Sequence, residues 1–308
     1  MNRNGILDDK ALRSKSVLYR IDLIKSIKRA GAGHTGGSLS CVDILNVLYN
    51  RILRVFPQCP EDPDRDRYIQ SKGHSVEALY VVLADRGFFP AQDLETLCRY
   101  GSALAGHPTR KVPGIEHNTG ALGHGLPVGV GMALAAKLDR RGWRVFVLLG
   151  DGELTEGSIW EAMLTAAHYK LDNLVVIVDR NGLQITGPTD RVCKTDPLVP
   201  KFESFGWTVR TADGHDIDSL TAALTAVPFG SNAPSAVIAE TVKGKGVSFI
   251  ENRPEWHHRV PDDEQYRTAV AELEAQLRAE GAANSGAEGA ASSGAEGAAN
   301  SGAEGGMR

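Results

Sequence analysis

The chain alternates between short apolar runs and longer segments with helical spacing of apolar residues. The runs at 143–149 (WRVFVLL) and 174–178 (LVVIV) are short and rich in β-branched residues, which is typical of buried strands. The segment 157–169 (GSIWEAMLTAAHY) between them has apolar positions at helical spacing. We predict strands near 67–70, 145–149, 174–178, 208–211 and 235–240, and helices near 10–30, 41–52, 76–86, 91–98, 126–140, 158–169, 217–227 and 262–279. This alternation predicts an α/β fold, with a parallel sheet and helices on both faces.

The last part of the chain departs from this pattern. From Gly281 an eight-residue unit repeats three times (GAANSGAE, GAASSGAE, GAANSGAE). Gly, Ala, Ser and Glu bury too little apolar surface to offset the entropy of ordering, so we predict a flexible low-complexity tail at 281–308. Residues 1–280 suffice for one large α/β domain, and no internal linker divides them.

The charge balance and the cysteines exclude several classes of protein. The formal net charge of −4 becomes −2 without the tail, which leaves no basic field for nucleic acid. The cysteines have no paired spacing for zinc or a disulfide framework, and they are expected to be reduced thiols: Cys41, Cys59, Cys98 and Cys193. The N-terminus (MNRNGILDDK) has no apolar signal region, and no run is long enough to cross a membrane. We therefore expect a soluble cytoplasmic protein.

Two polar motifs follow neighbouring strands. Gly150-Asp151-Gly152-Glu153 comes after the strand at 145–149, and Asn181 comes after the strand at 174–178. These strands and the helix between them form one β-α-β unit, whose parallel strands end on the same side of the sheet, where α/β folds bind ligands. Carboxylate and amide oxygens suit Mg²⁺ or Ca²⁺, with phosphate oxygens completing the metal shell. Asp151-Gly152 and Asn181-Gly182 are also common turn-forming pairs. Together, at the ends of two strands of one unit, they favour a metal–phosphate site.

Three histidines lie in loops next to glycine: Gly33-His34, Gly73-His74 and Gly106-His107. Glycine allows close approach of the backbone to a ligand, and a neutral imidazole can accept a hydroxyl proton near neutral pH. A single loop histidine is more often merely solvated, whereas three in the same setting indicate a site.

Gly123 and Gly125 precede a predicted helix that has Pro127 in its first turn, a position proline tolerates. Backbone amides at such a helix start could bind an anion, or the glycines could serve a tight contact between helix and sheet. The spacing Gly123-x-Gly125-x-x-x-Gly129 only approximates a dinucleotide fingerprint, and no clear strand precedes it.

The run GDGELTEGSIWEA…LDNLVVIVDRN and the Gly-His segments resemble the thiamine diphosphate motif of transketolases, over about residues 13–277. The resemblance covers the first, diphosphate-binding domain and is close to the N-terminal subunit of split transketolases. It implies the thiamine diphosphate-binding fold, with Mg²⁺ (or Ca²⁺) held by Asp151, Asn181 and the carbonyl of Leu183. It implies further cofactor contacts from His74, Gly123, Gly125, Gly152, Glu153 and His257.

The resemblance also implies roles for the histidines. His34, His107 and His257 would act on the donor's hydroxyls and on the reacting carbons. His258 stands where the family has glycine, so either neighbour could play the role of His257. His124 and Pro127 also depart from the family's glutamine and its serine or alanine.

Glu156 and a glycine-rich loop at 242–247 complete the candidate features of the sequence. Glu156 is either a helix-start acid or, by the resemblance, part of a carboxylate network at a subunit contact. The loop at 242–247 (VKGKGV) also matches the family, and we assign its lysines only to a mobile lid or a solvated turn.

The implied activity is transfer of a two-carbon ketol unit from a ketose donor, as a sugar phosphate, to an aldose acceptor. In transketolases the glutamate that activates the cofactor, and the arginines that grip the phosphate, belong to a second domain. We therefore expect a C-terminal subunit with the pyrimidine-binding domain as partner, in an α₂β₂ assembly. Three alternatives remain: the first subunit of a 2-oxo acid decarboxylase or dehydrogenase, a nicotinamide dehydrogenase, and a non-catalytic scaffold.

Overall fold

A computed structural model describes residues 7–296 of the chain, with side chains described to residue 280. The strands are β1 (Arg67–Gln70), β2 (Val145–Gly150), β3 (Leu174–Arg180), β4 (Leu183–Gln184), β5 (Gly187–Pro188), β6 (Thr208–Asp213) and β7 (Ser235–Glu240). The helices are α1 (Asp9–Ala30), α2 (Thr35–Ser40), α3 (Val42–Val47), α4 (Val76–Asp85), α5 (Gly125–Leu138), α6 (Gly157–His168), α7 (Thr189–Val192), α8 (Leu198–Ser204), α9 (Ile217–Thr225) and α10 (Asp263–Glu296).

Five strands form one parallel sheet in the order β1-β2-β3-β7-β6, and β4 and β5 form a small antiparallel pair. The five strands of the large sheet are those predicted from the apolar runs. The register of β2 and β3 aligns Gly150 with Asp179, so the two strands end side by side. The predicted fold class, a parallel sheet with helices, is confirmed.

The sheet is covered on both faces. Successive side chains of a strand point to opposite sides, so β2 contributes to two apolar clusters. Phe146 and Leu148 of β2 belong to the apolar cluster that includes α1, α3 and α4. Val145, Val147 and Leu149 belong to the second cluster, with α5 and α6. The whole of β2 is buried, and this explains why its sequence shows an unbroken apolar run rather than alternation.

The helices differ from the prediction in several places. The helix expected at 41–52 starts earlier and is broken: α2 and α3 meet at Cys41, and a wider π-helical turn follows at Leu48–Ile52. The helix expected at 91–98 is a 3₁₀ segment, Ala91–Thr96. The short helices α7 and α8 were not predicted, since each holds fewer turns than a periodic pattern needs.

The C-terminal helix α10 packs on α1 through Ala269 and Leu273, both fully buried. Its backbone continues to Glu296 and so includes part of the repetitive segment 281–308. Residues 297–308 lie outside the described residues, and the flexible tail stays a prediction. No helix in the described part of the chain is long and apolar enough to span a membrane.

Candidate active site

Asp151 and Asn181 lie next to each other at the carboxyl end of the sheet, where β2 and β3 end. The Asp151 carboxylate accepts hydrogen bonds from the backbone N–H of Gly152 (2.8 Å) and of Gly182 (2.6 Å). The Asn181 side-chain oxygen accepts one from the N–H of Leu183 (3.1 Å). Both segments therefore form turns, and these turns hold the side-chain oxygens of Asp151 and Asn181 near each other. The parallel-strand argument placed both residues correctly.

The environment of Asp151 favours a bound cation. Burial, together with the nearby Asp179 carboxylate, raises the pKa of Asp151 to about 6. A cation beside the carboxylate would reverse this shift, since it favours the ionised form. Among the described residues, no three or more His, Cys, Asp and Glu side chains are grouped to hold a metal. One carboxylate, one amide and the Leu183 carbonyl fit Mg²⁺ only if phosphate or water oxygens complete the shell.

A cavity of about 50 Å³ opens beside these donors. Its lining includes most of the residues that the sequence assigned to the cofactor, and also some that it did not: Gly37, Lys72, His74, Leu122, Gly150, Asp151, Gly152, Glu153, Asn181, Leu183, Gln184, Ile185, Lys243 and His257. The volume is far below the roughly 300–1,000 Å³ of a complete small-molecule site. The described residues therefore enclose only part of a ligand. A larger cavity of about 430 Å³ lies away from these donors, around Phe89 and Tyr100.

The glycines of the site allow backbone segments to touch. A Cβ on Gly125, the first residue of α5, would lie 2.8 Å from the Cα of Ser71, which follows β1. A Cβ on Gly129 would lie 2.7 Å from a methyl of Val147 in β2. Gly123 has φ +84°, in the region that favours glycine. The tight contact between helix and sheet is thus present, and it leaves the start of α5 at the edge of the site.

Glu153 ties three segments of the site together. Its carboxylate accepts hydrogen bonds from the hydroxyl of Ser71, from the N–H of Gly123 (3.0 Å) and from the N–H of Gly150 (3.1 Å). Burial raises the pKa of this carboxyl. Both oxygens are engaged by the protein, so Glu153 shapes the wall of the cavity.

Histidines from four loops form one cluster. His34, His74 and His107 come from three of these loops, and His257 and His258 come from the fourth. His34 lies with its ring centroid 5.3 Å from that of His74, 5.8 Å from His107 and 5.5 Å from His257. His74 and His257 are 5.1 Å apart. His258 is nearer to His34 than any of these, at 4.5 Å, and it is exposed at the rim. The structure therefore brings both His257 and His258 to the site.

Four of the clustered imidazoles favour their neutral form. Burial, with further contributions from the neighbouring His258, His257, His107 and Lys243, lowers the pKa of His34 to about 3. Burial and the Lys243 ammonium lower the pKa of His257 to about 4, and burial also lowers the pKa of His74 and His107. A bound anion would raise these values, because it stabilises the protonated rings.

Lys243 corrects one expectation from the sequence. It is only 2% exposed, and its ammonium nitrogen lies 2.9 Å from Nδ1 of His257, so the solvated-turn role is wrong for this lysine. Burial lowers its pKa to about 8. Lys243 follows β7 closely, so the argument that located Asp151 and Asn181 could also have found it.

Lys72 lies deeper, in a buried ion pair with Asp179 beneath the cavity. It also donates to the carbonyl of Gly37 (3.0 Å), and Ser40 donates to Asp179 (2.5 Å). Burial alone would lower the pKa of Lys72, but the Asp179 carboxylate outweighs it and raises the pKa. The pair supports the floor of the site.

Two of the departures from the family pattern lie outside the cluster. His124 is exposed at the N-cap of α5 and makes no side-chain cap, and Pro127 fits the first turn of that helix. Glu156 is exposed at the N-cap of α6, also without a side-chain cap.

The comparisons with known proteins agree with this geometry. Residues 13–274 match the family model described as the transketolase, thiamine diphosphate binding domain. The chain is 46% identical over 277 residues to an apulose-4-phosphate transketolase subunit of Phocaeicola vulgatus, covering 90% of this chain and 99% of that protein. It is 49% identical over 268 residues to the subunit of the same name from Actinobacillus succinogenes, covering 86% and 96%.

Among solved structures, transketolase from Campylobacter jejuni superposes with a TM-score of 0.77 at 27% identity. The match covers 89% of this chain and 48% of that one. The chain thus spans about half the length of this transketolase, while it spans nearly all of the two subunits named above.

Proposed function

This chain belongs to the transketolase family as a thiamine diphosphate-binding domain, and from that premise we propose that it is the diphosphate-binding subunit of a two-component transketolase. It would transfer a two-carbon ketol unit from a ketose phosphate donor to an aldose acceptor. The arrangement that carries the proposal is the convergence of oxygen donors and neutral imidazoles at one end of the sheet.

The two ends of the site have different chemistry. Asp151, Asn181 and the Leu183 carbonyl would hold Mg²⁺, and the Lys243 ammonium would face the diphosphate of the cofactor. Gly123, Gly125 and Gly152 would let the backbone approach that diphosphate, and His74 lies beside it. Thiamine diphosphate, when bound, supplies the carbon that attacks the donor carbonyl and carries the two-carbon unit.

The histidines would move protons at the other end. A neutral ring at His34 or His257 can accept the proton of the donor hydroxyl next to the breaking bond, and can return a proton to the acceptor. The charge of the bound diphosphate would bring their pKa values upward, toward the range in which a base works at neutral pH. His107, whose ring centroid lies 5.8 Å from that of His34, would hold the transferred unit by a hydrogen bond.

A partner subunit would complete the site. The cavity of about 50 Å³ beside Asp151 is far smaller than a complete small-molecule site, so further residues would have to cover the cofactor. Two proteins named as apulose-4-phosphate transketolase subunits match this chain over nearly their own full length, 99% and 96%. We propose a C-terminal subunit with the pyrimidine-binding domain, in an α₂β₂ assembly in the cytoplasm.

The test is to assemble the two subunits and measure ketol transfer with thiamine diphosphate and Mg²⁺. We expect turnover by the complex and none by either of its two components alone. Turnover by this chain alone would contradict the two-component proposal. Release of carbon dioxide from a 2-oxo acid would indicate a decarboxylase, and failure of the complex to bind thiamine diphosphate would indicate a scaffold.

Asp151→Ala should remove cofactor-dependent turnover while the chain stays folded. Loss of a metal donor should lower turnover by more than about 100-fold, since even groups that only orient ligands affect affinity by roughly 10–100-fold. The measurement is ketol transfer by the complex, with circular dichroism as the check on folding. Asp190→Ala, at an exposed aspartate of α7, is the control. Wild-type rates in Asp151→Ala would disprove the assignment.

A further inference from the structure

A buried polar network lies behind the candidate site, on the far side of the loop 242–246. Arg20 of α1 grips Asp43 of α3 with two hydrogen bonds, of 3.1 and 2.5 Å. His215, which follows β6, lies with Nδ1 2.7 Å from the same carboxylate. Arg20 and Asp43 are 5% and 3% exposed. Burial would raise the pKa of Asp43, but Arg20 and His215 outweigh it and hold the pKa below its usual range.

The side chains of Arg20 and His215 reach from Asp43 to the backbone of the loop. The N–H of Val242 donates to Nε2 of His215 (2.7 Å), and Nε of Arg20 donates to the carbonyl of Lys245 (3.1 Å). Because Nε2 accepts, the ring proton of a neutral His215 is on Nδ1 and points at Asp43. One carboxylate therefore orients two side chains, and these bind the loop on either side of Lys243.

Further contacts leave the loop with little freedom. The N–H of Gly244 donates to the carbonyl of Gly36 (3.0 Å), and the carbonyl of Lys243 accepts from the N–H of Asn252 (2.9 Å). Gly244 has φ +84°, and a Cβ there would lie 2.6 Å from Ile250. With its backbone held in this way, the side chain of Lys243 lies at the cavity beside His257.

We propose that Arg20 and His215, oriented by Asp43, are positioning residues that fix the loop 242–246 so that Lys243 projects into the site. None of the three lines the cavity at Asp151. The meaning of this position for catalysis rests on the proposed function, but the position itself can be measured in the chain alone.

A matched pair of substitutions isolates the contact with Val242. The amide of His215→Asn occupies the place of Nδ1, so it keeps Asp43 and loses Val242. The amide of His215→Gln reaches the place of Nε2 and can still accept from Val242. Both side chains are neutral and polar, so a general loss of packing would affect them alike.

The readout is acetylation of Lys243 in the full-length chain without cofactor, by peptide mass spectrometry at one fixed pH. Lys25, which is 48% exposed on α1, is the internal reference. Losing one hydrogen bond shifts an opening equilibrium by roughly 3- to 10-fold. We expect His215→Asn to raise the acetylation of Lys243 relative to Lys25 by that factor, and His215→Gln to stay near wild type.

Equal acetylation of Lys243 in wild type and both variants would overturn the proposal. So would an equal increase in both, because the contact with Val242 would then not be responsible. His168→Asn, at an exposed histidine of α6, is expected to change nothing. Should His215→Asn fail to fold, Arg20→Lys gives the same test at the Lys245 contact, since it keeps the charge and loses the fork.

The assembled enzyme separates this proposal from the proposed function. If Lys243 meets the diphosphate, His215→Asn should also weaken binding of thiamine diphosphate by roughly 3- to 10-fold, and His215→Gln should not. An assembly that binds no thiamine diphosphate would refute the proposed function and leave the acetylation result standing.

Discussion

Glu77 shows how a single buried side chain prepares the site. It is 1% exposed, and its carboxylate accepts hydrogen bonds from the backbone N–H of His34 (3.1 Å) and from the hydroxyl of Ser38 (2.7 Å). Burial raises the pKa of Glu77 to about 7, against a usual value of 4.5. The neutral acid is therefore the form that suits the folded chain, and it holds the loop of His34 in place.

This shift predicts how stability depends on pH. Since the pKa is higher in the folded state, the folded chain keeps the Glu77 proton while the unfolded chain loses it, and stability falls as pH rises from about 4.5 to about 7. The fall amounts to about 3 kcal/mol. Glu77→Gln removes this dependence, so the free energy of unfolding of wild type minus that of the variant should decrease from pH 5 to pH 8. Urea denaturation at the two pH values measures it.

A difference that stays constant or grows with pH would contradict the raised pKa. Contributions from all other titrating groups cancel in this comparison, because both proteins contain them.

At the residue scale, the sequence predicted those site residues whose positions follow directly from the parallel sheet. Asp151 and Asn181 follow from the rule that parallel strands end together. Lys243 obeys the same rule, but lysine in a Gly-rich loop is more often solvated. Its burial depends on the close approach of Gly36, where a Cβ would lie 3.2 Å from the Lys243 side chain. His258 could not be assigned between rim and interior, since neighbouring loop residues point in directions that only the fold decides.

At the scale of elements, α5 depends on how closely its start approaches β1. A Cβ on Gly125 would meet the Cα of Ser71, a backbone atom that cannot move aside alone. The hydroxyl of Ser71 in turn donates to Glu153. The distance between helix and sheet therefore also sets the wall of the cavity.

Gly125→Ala should destabilise the chain by roughly 1–3 kcal/mol, the usual cost of overpacking. The matched control lies in the same helix: Gly131 is exposed, and a Cβ there meets nothing within 4 Å. Gly131→Ala should stabilise the chain by up to about 1 kcal/mol, because alanine favours helix. Thermal or urea unfolding of both variants measures these two changes in stability. A Gly125→Ala protein as stable as wild type would show that α5 shifts without cost.

The elements that the sequence missed have low local propensity. Helix α2 contains Gly36 and Gly37, which weaken a helix in isolation. Its place is set by tertiary contacts, since a Cβ on Gly36 would lie 2.9 Å from the carbonyl of Trp256. Strands β2 and β3 were predicted well because burial on both faces of the sheet gives each an unbroken apolar run.

At the scale of the whole molecule, α10 holds the last core contacts among the residues whose side chains the structure describes. Leu273 is fully buried, and Leu277 is the last residue of this helix that packs on the core cluster among the residues with described side chains. We therefore expect removal of residues 281–308 to change the free energy of unfolding by less than about 0.5 kcal/mol, as for surface changes generally.

The test compares two truncations in unfolding and, after assembly, in ketol transfer. Ending the chain after Glu280 should leave both properties unchanged. Ending it after Asp262 removes Ala269 and Leu273, the residues of α10 that pack on α1, and should destabilise the chain severely. A large loss of activity in the shorter truncation would give the repeat a role that its composition does not predict.

The side-by-side ends of β2 and β3 also constrain how such a chain can vary over evolution. Asp151 and Asn181 meet because each lies a fixed number of residues past the aligned pair Gly150 and Asp179. Between 145 and 149 many apolar sequences would fill the same space, so substitutions there can accumulate. A one-residue deletion in either strand would shift Asp151 or Asn181 by about 3.3 Å and turn alternate side chains to the wrong face. We therefore expect the lengths of these strands to vary less than their composition.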